Sequence, residues 1–299
     1  MAKKPEHSQT KVALVACARN EGPYLLEWVC YHKLLGFDDI YLYSHDNEDG
    51  SDELLKALDE LGLIHYTDMT GKLDPEKKIQ SDIYPKALRR IQEKNKHTWL
   101  CIVDIDEFIN LKKHDTIREF IDSYGDETDG ITINWKTFGA NNQKEKTDGL
   151  VVDRFNQESS QKINDIKTIA RVNVIKKWQR PHYPLYPEAS KFIYPDGNIF
   201  DKDDYHLGKK YRYYTESVAT INHYITKSYE EFCIKSARGG GMNMANKIHD
   251  PIRKRLMGLF YRCNNPKEIA SYDDSIKESQ AYQNLKDLIQ EVTQDEKLR

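Results

Sequence analysis

Residues 99–103 read Trp-Leu-Cys-Ile-Val and run directly into Asp104, Ile105, Asp106 and Glu107. A short, unbroken, partly β-branched apolar run fits a strand covered on both faces of a sheet. That strand brings its carboxylates to the sheet's edge, where removal from water is unfavourable unless positive charge meets them. A hard divalent cation with oxygen ligands, shared with the phosphates of a nucleotide, is a suitable counter-charge. For an isolated Asp-x-Asp the plainer alternative is one helix-capping aspartate beside one solvated aspartate.

The chain around this run repeats one pattern. VALVACA at 12–18 is a second continuous apolar strand, Arg19-Asn20-Glu21-Gly22-Pro23 interrupts it, and 24–35 carries Leu25, Trp28, Val29 and His32 at helical spacing before Gly36. DIYLY at 39–43 is a strand, HDNEDGS at 45–51 a polar loop, and 52–61 a helix closed by Gly62. A third strand is expected at 63–67, a helix at 76–94 that Pro85 kinks or begins, and the central strand at 98–103. Strands alternating with helices at this spacing predict βαβ units and a parallel sheet, which binds ligands beyond the carboxyl ends of its strands. The polar loops at 19–22, 45–51 and 104–107 all fall at those ends.

Beyond Glu107, Thr116 with Glu119 fits a capping box, and GITINW at 130–135 is a strand. The polar stretch 136–164 is expected to be a mobile loop or lid. Strands follow at 167–175 and 217–224, with a hairpin over 191–200 around Pro195-Asp196-Gly197. Ser228 and Glu231 cap a helix that should stop at Gly239-Gly240-Gly241, and from His249 the tail reads as helical. The simplest division is an α/β domain over 1–248 and a helical C-terminal extension over 249–299.

Composition excludes several classes. With 31% charged and 38% hydrophobic residues the chain is globular, and a net charge of −3 offers no footprint for nucleic acid. Five scattered cysteines without a C-x-x-C pair fit free thiols in a reducing compartment. No apolar segment follows the N-terminal lysines, and no stretch approaches the roughly 20 apolar residues of a membrane span. The expectation is a cytoplasmic protein. The basic and apolar segment 252–260 would either lie on the anionic inner face of a membrane or pack on the main domain.

The block Arg19-Asn20-Glu21-Gly22-Pro23-Tyr24-Leu25-Leu26-Glu27-Trp28 is followed by Tyr31-His32, by Asp46-Asn47-Glu48-Asp49-Gly50-Ser51 and by Val103-Asp104-Ile105-Asp106-Glu107-Phe108. Together these resemble glycosyltransferase family 92 and the related family 2-like bacterial enzymes. The likeness extends in order through 135–139, Asp153-Arg154-Phe155, Asn222-His223-Tyr224, Lys227-Ser228 and Glu230-Glu231-Phe232, and the tail beyond Gly241 resembles no known block. It implies a GT-A fold, Rossmann-like with a mostly parallel central sheet flanked by helices, that makes residues 1–248 the catalytic domain. It also implies a nucleotide-sugar donor, inversion at the anomeric carbon, and Mn²⁺ or Mg²⁺ held at the Asp-x-Asp.

By the same resemblance Asp106 is the direct metal ligand, Asp104 reaches the ribose or the metal through water, and His223 completes the metal shell. Arg19, Asn20 and Glu21 lie where base and ribose would sit, and Asp46 matches a position that accepts from uracil N3–H. Gln80 and Lys86 face the same cleft or solvent. Asp153 occupies the position of an acidic base before Arg-Phe, with Asp165 and Glu188 open as alternatives. Arg154, Lys167, Arg171 and Lys227 are cationic candidates for the diphosphate. Trp135, Phe138, Trp178, Tyr183 and Tyr186 are divided between sugar stacking and core packing. Gly139-Ala140-Asn141-Asn142-Gln143 lacks the Ser-Gly run of many relatives and 176–187 is hard to align, so the acceptor is what the resemblance carries over least.

The leading reading is transfer of a hexose from a UDP-sugar to a glycan or glycolipid acceptor, as in lipopolysaccharide or capsule assembly. A sugar-1-phosphate nucleotidyltransferase would suit the sheet and carboxylates, but it would need a Gly-rich phosphate loop after the first strand, where Arg19-Asn20-Glu21 stands. A non-catalytic nucleotide- or carbohydrate-binding module is the third reading, and absence of turnover would mark it.

Overall fold

The computed structural model describes residues 9–74, 76–159, 165–178, 181–202, 213–238, 257–258, 260–264 and 269–298. Strands β1 (Val12–Ala18), β2 (Asp39–Ser44), β3 (His65–Asp68) and β4 (Trp99–Ile102) alternate with helices α1 (Gly22–Leu34), α2 (Ser51–Glu60) and α3 (Ile79–Lys94). β1 pairs in parallel with β2 and β4, and β2 in parallel with β3. Successive β1 side chains enter opposite cores. Val12, Leu14 and Ala16 pack on the face covered by α1, Ala13 and Val15 on the face covered by α3. Burial on both faces is the physical reason the run has no polar alternation. Pro85 sits inside α3 without ending it, and the helix begins three residues later than expected.

Past β4 the sheet becomes mixed. Strands β5 (Glu107–Leu111), β6 (Gly130–Thr137), β7 (Gln157–Ser159), β8 (Ile166–Arg171), β9 (Phe192–Ile193), β10 (Ala219–His223) and β11 (Ile269–Tyr272) follow, with helices α4 (Ile117–Asp122) and α5 (Val151–Arg154) between them. The main sheet runs β3-β2-β1-β4-β8-β6-β10-β5, with β9 on β6. β8 is antiparallel to both β4 and β6, β10 parallel to β6, and β5 antiparallel to β10. The sheet is thus a parallel Rossmann-like half continued by mixed strands. β5 escapes the periodicity because only the four-residue turn 103–106, closed by Glu107 N–H to Asp104 C=O at 3.0 Å, separates it from β4.

Both capping boxes form. Thr116 Oγ1 accepts from Glu119 N–H at 3.2 Å, and Ser228 Oγ from Glu231 N–H at 3.2 Å, the latter opening α6 (Tyr229–Arg238). The hairpin at 191–200 also forms, with Gly197 at φ 90°.

Two expectations need correction. The described part of 136–164 is not a continuous loop. It holds the end of β6, α5 and β7, and Glu27 pins α5 by accepting from Val151 N–H at 2.7 Å and Val152 N–H at 3.1 Å. The C-terminal residues 269–298 are neither all helical nor an appendage. β11 pairs with β7, and Ile276, Ala281, Leu285 and Val292, from α7 (Gln280–Gln283), α8 (Leu285–Gln294) and the turn before them, join the α1 core. Buried Lys136 ties this region in, its Nζ lying 3.0 Å from Glu158, 3.2 Å from Glu216 and against Asp273. The expected boundary at 248, the glycines 239–241 and most of 252–260 lie outside the described residues. Among the described residues no helix is long and apolar enough to cross a membrane.

Candidate active site

Parallel pairing of β1 to β4 sets their carboxyl ends on one edge, and the directions of β8, β6, β10 and β5 add Lys167, Trp135, His223 and Glu107 to that edge. The first two loops are stitched together. Asn20 donates its N–H to Asn47 Oδ1 at 2.6 Å, and its own Oδ1 accepts from Glu48 N–H at 2.8 Å. Gly22 N–H reaches Asp49 Oδ2 at 3.0 Å. Asn20 and Asp46 adopt φ of 51° and 46°, a left-handed conformation that short polar side chains tolerate. The Asp46 N–H donates to Thr70 Oγ1 at 3.0 Å, and its carboxylate, beside His45, is about half exposed. Arg19 and Glu21 lie on the same rim, Glu21 buried and Arg19 partly so.

The carboxylates sit in a scaffold of donors. Trp28 Nε1 donates to the carbonyls of Asp104 and Glu107, both at 3.0 Å, which anchors the turn to α1. Glu107 is fully buried and accepts from Asp104 N–H at 2.8 Å. Lys167, equally buried, lies 2.9 Å from Asp104 Oδ2 and 3.1 Å from Glu107 Oε2, and these anions raise its pKa against the lowering effect of burial. Gln80 Nε2 donates to Asp104 Oδ1 at 3.1 Å. Asp104 is thus oriented by β8 and α3 and stays 28% exposed.

Asp106 points elsewhere. Its Oδ2 lies 3.5 Å from His223 Nε2 and is bound by Lys235 Nζ. Burial alone would raise the Asp106 carboxyl, but Lys235 and His223 outweigh it and hold the group well below the usual carboxylate range. Lys235 reaches Asp106 because α6 is locked at its start. Glu231 accepts from Ser228 N–H at 3.1 Å, from Arg154 Nη1 at 3.1 Å and Nη2 at 2.5 Å, and from Tyr24 OH at 2.8 Å. One helical turn on, Lys235 occupies the same face.

The other candidates separate clearly. Lys227, buried, stacks its ammonium 4.1 Å from the Tyr24 ring centroid beside this lock. Asp165 immediately precedes β8 at the site edge, its carbonyl accepting from Trp135 N–H at 2.8 Å. Trp135 packs edge-on against His223 with centroids 4.2 Å apart. The Asp153 carboxylate accepts from Tyr282 OH and lies 3.1 Å from Lys286, so it faces the C-terminal helices. Arg154 serves Glu231, and Arg171 stands at the opposite end of β8 over the Trp99 ring, so neither meets the cluster. Lys86 pairs with Asp82 at 2.8 Å within α3, and Glu188 is exposed. Phe138, Trp178 and Tyr183 are core residues, and Tyr186 stacks on Phe192 at 3.7 Å.

Sequence reasoning missed Lys235 and the anchoring role of Trp28. The Glu231–Lys235 spacing of four on a helix just after His223 was a usable signal for the former. Trp28 looked like a core residue, which its ring is.

A divalent ion shared with a diphosphate needs one or two protein carboxylates, its remaining ligands being phosphate and water oxygens. The Asp106 carboxylate and His223 Nε2 face each other at 3.5 Å, one carboxylate and one imidazole, while the other ring nitrogen, His223 Nδ1, is buried without a hydrogen-bond partner. Among the described residues no group of three or more His, Cys, Asp or Glu could hold an ion by itself. Two protein donors leave the remaining positions of a six-coordinate ion to phosphate and water oxygens. Asp104, turned to Gln80 and Lys167, is not part of the pair.

The family description of glycosyltransferase family 92 matches residues 15–278. A family 92 protein of Oryza sativa subsp. japonica is 28% identical over 36% of this chain and 17% of its own length. One of Ricinus communis is 30% identical over 40% and 21% respectively, so the matched region spans about a fifth of these relatives. Among solved structures, S. aureus TarS 1-349 has a TM-score of 0.40 at 10% identity, covering 84% of this chain and 70% of that one. Glucosyl-3-phosphoglycerate synthase from Mycobacterium tuberculosis, in complex with Mn²⁺, UDP and phosphoglyceric acid, has a TM-score of 0.30 at 10% identity, covering 56% and 57%.

Proposed function

We propose that this chain, which belongs to glycosyltransferase family 92, transfers a hexose from a UDP-sugar to a glycan or glycolipid acceptor with inversion at the anomeric carbon. The observation that carries the reading is the meeting of Asn20, Asp46, Asp104, Asp106, Lys167 and His223, from five separate segments, on one sheet edge. Departure of UDP leaves negative charge on the diphosphate, and groups already aimed there stabilise it as it grows.

Asp46, half exposed beside the stitched Asn20 loop, accepts from the uracil N3–H, while Arg19 and Glu21 border base and ribose. Asp104, held by Gln80 and Lys167, accepts from the ribose hydroxyls where it remains exposed. Asp106 and His223 would hold Mn²⁺ or Mg²⁺, which when bound neutralises the diphosphate. Lys227 adds fixed positive charge nearby. Asp165 takes the proton of the acceptor hydroxyl, and Trp135 offers a face to a sugar ring.

The test is release of UDP from a panel of UDP-sugars in the presence of Mn²⁺. Asp106→Ala should lose about 100-fold or more of this turnover while still unfolding cooperatively. Full turnover in that variant, or thermal stabilisation by purine nucleotides and not by UDP, would refute the reading.

A further inference from the structure

The cluster holds two lysines of opposite character. Lys167 has no exposed side-chain surface and is clamped between Asp104 and Glu107. Lys235 is 28% exposed, and its ammonium binds Asp106 Oδ2 and, at 3.2 Å, the Ile225 carbonyl. The first is a fixed part of the scaffold, whereas the second sits at the mouth and can swing into solvent on its four-carbon stem. The oxygen that Lys235 covers is the one facing His223, the donor atom an incoming ion would need.

We propose that Lys235 is a tethered counter-cation that neutralises Asp106 in the donor-free protein and must leave for a divalent ion to bind there. This rests on the reading that Asp106 and His223 form the ion site. A divalent ion and an ammonium cannot share Asp106 Oδ2 without strong repulsion in a buried setting. A nucleotide diphosphate that arrives with the ion supplies new anionic oxygens for the displaced ammonium. Ion and nucleotide are therefore coupled, each tightening the other by the same factor. The free protein binds the ion weakly, which prevents an ion without donor from occupying the site.

The experiment measures Mn²⁺ binding by loss of the free-ion paramagnetic resonance signal, with and without UDP, for the full chain and for Lys235→Met, Lys235→Arg and Asp106→Asn. Lys235→Met keeps the stem and removes the charge. It should bind Mn²⁺ without UDP at least about tenfold tighter than the parent, and its coupling to UDP should shrink correspondingly. Lys235→Arg should behave as the parent. Equal affinity of Lys235→Met and the parent for Mn²⁺ alone overturns the proposal, provided Asp106→Asn abolishes binding in the presence of UDP. If Asp106→Asn leaves Mn²⁺ binding with UDP intact, the ion site itself is misplaced, and both this proposal and the reading beneath it fall. Melting curves for each variant, with Lys235→Gln as a second neutral replacement, separate these outcomes from loss of fold.

Discussion

Replacing Arg154 with methionine distinguishes a role in the fold from one in donor binding. In the protein both guanidinium nitrogens reach Glu231, at 3.1 and 2.5 Å, with side chains 7% and 2% exposed. Burial opposes the Glu231 charge, but Arg154, Ser228 and Tyr24 hold its carboxyl at about 2, down from 4.5. At about 1.4 kcal/mol per unit the shift corresponds to roughly 3 kcal/mol. Ser228 and Tyr24 supply part of the shift and remain in the variant, which leaves about 2 kcal/mol to Arg154, while stranding a buried carboxylate adds to the loss. Arg154→Met should therefore lose about 2–4 kcal/mol in guanidinium unfolding at neutral pH. A carboxyl whose folded pKa is depressed contributes above its unfolded value and loses that contribution as pH falls through the folded one. The gap between parent and variant should accordingly be full above pH 4.5 and close toward pH 2. Folded variant should keep its KM for the UDP-sugar within a few-fold. A variant of parental stability with a greatly raised donor KM would refute this assignment and return Arg154 to the diphosphate.

Trp28→Phe keeps the ring in the α1 core but removes the donor shared by the Asp104 and Glu107 carbonyls, so it should lose about 1–3 kcal/mol and raise the donor KM. Unchanged denaturation and kinetics would show that the turn holds itself. Asp165→Asn should lower kcat by about 100-fold or more as expected of a lost base, whereas Asp153→Asn should stay within a few-fold of the parent. Steady-state kinetics showing the reverse order would restore Asp153 as the base.

Much of the architecture is local and could be read directly. The strands at 12–18 and 39–43 and both capping boxes depend on residues within a few positions of one another. The adjacency of the first two loops also follows, because parallel neighbours in a βαβ unit end on the same side. β5 is not legible because it begins at Glu107, inside the carboxylate cluster that reads as the loop ending β4. The residues 269–298 were misjudged because a helical pattern does not disclose which surface its apolar stripe will meet.

Asp153 and Arg154 show the sharper limit. Both stand in a family-like block, yet the chain beyond 269 supplies Tyr282 and Lys286 for one, and α6 supplies Glu231 for the other. By itself the sequence determined that carboxylates would stand at the tip of an interior strand, since alternation and burial are properties of neighbouring residues. Which cation meets each carboxylate was decided only by the tertiary structure. Lys167 lies 63 residues from Asp104 and Lys235 129 residues from Asp106, and Coulomb energy depends on distance in space rather than on separation along the chain.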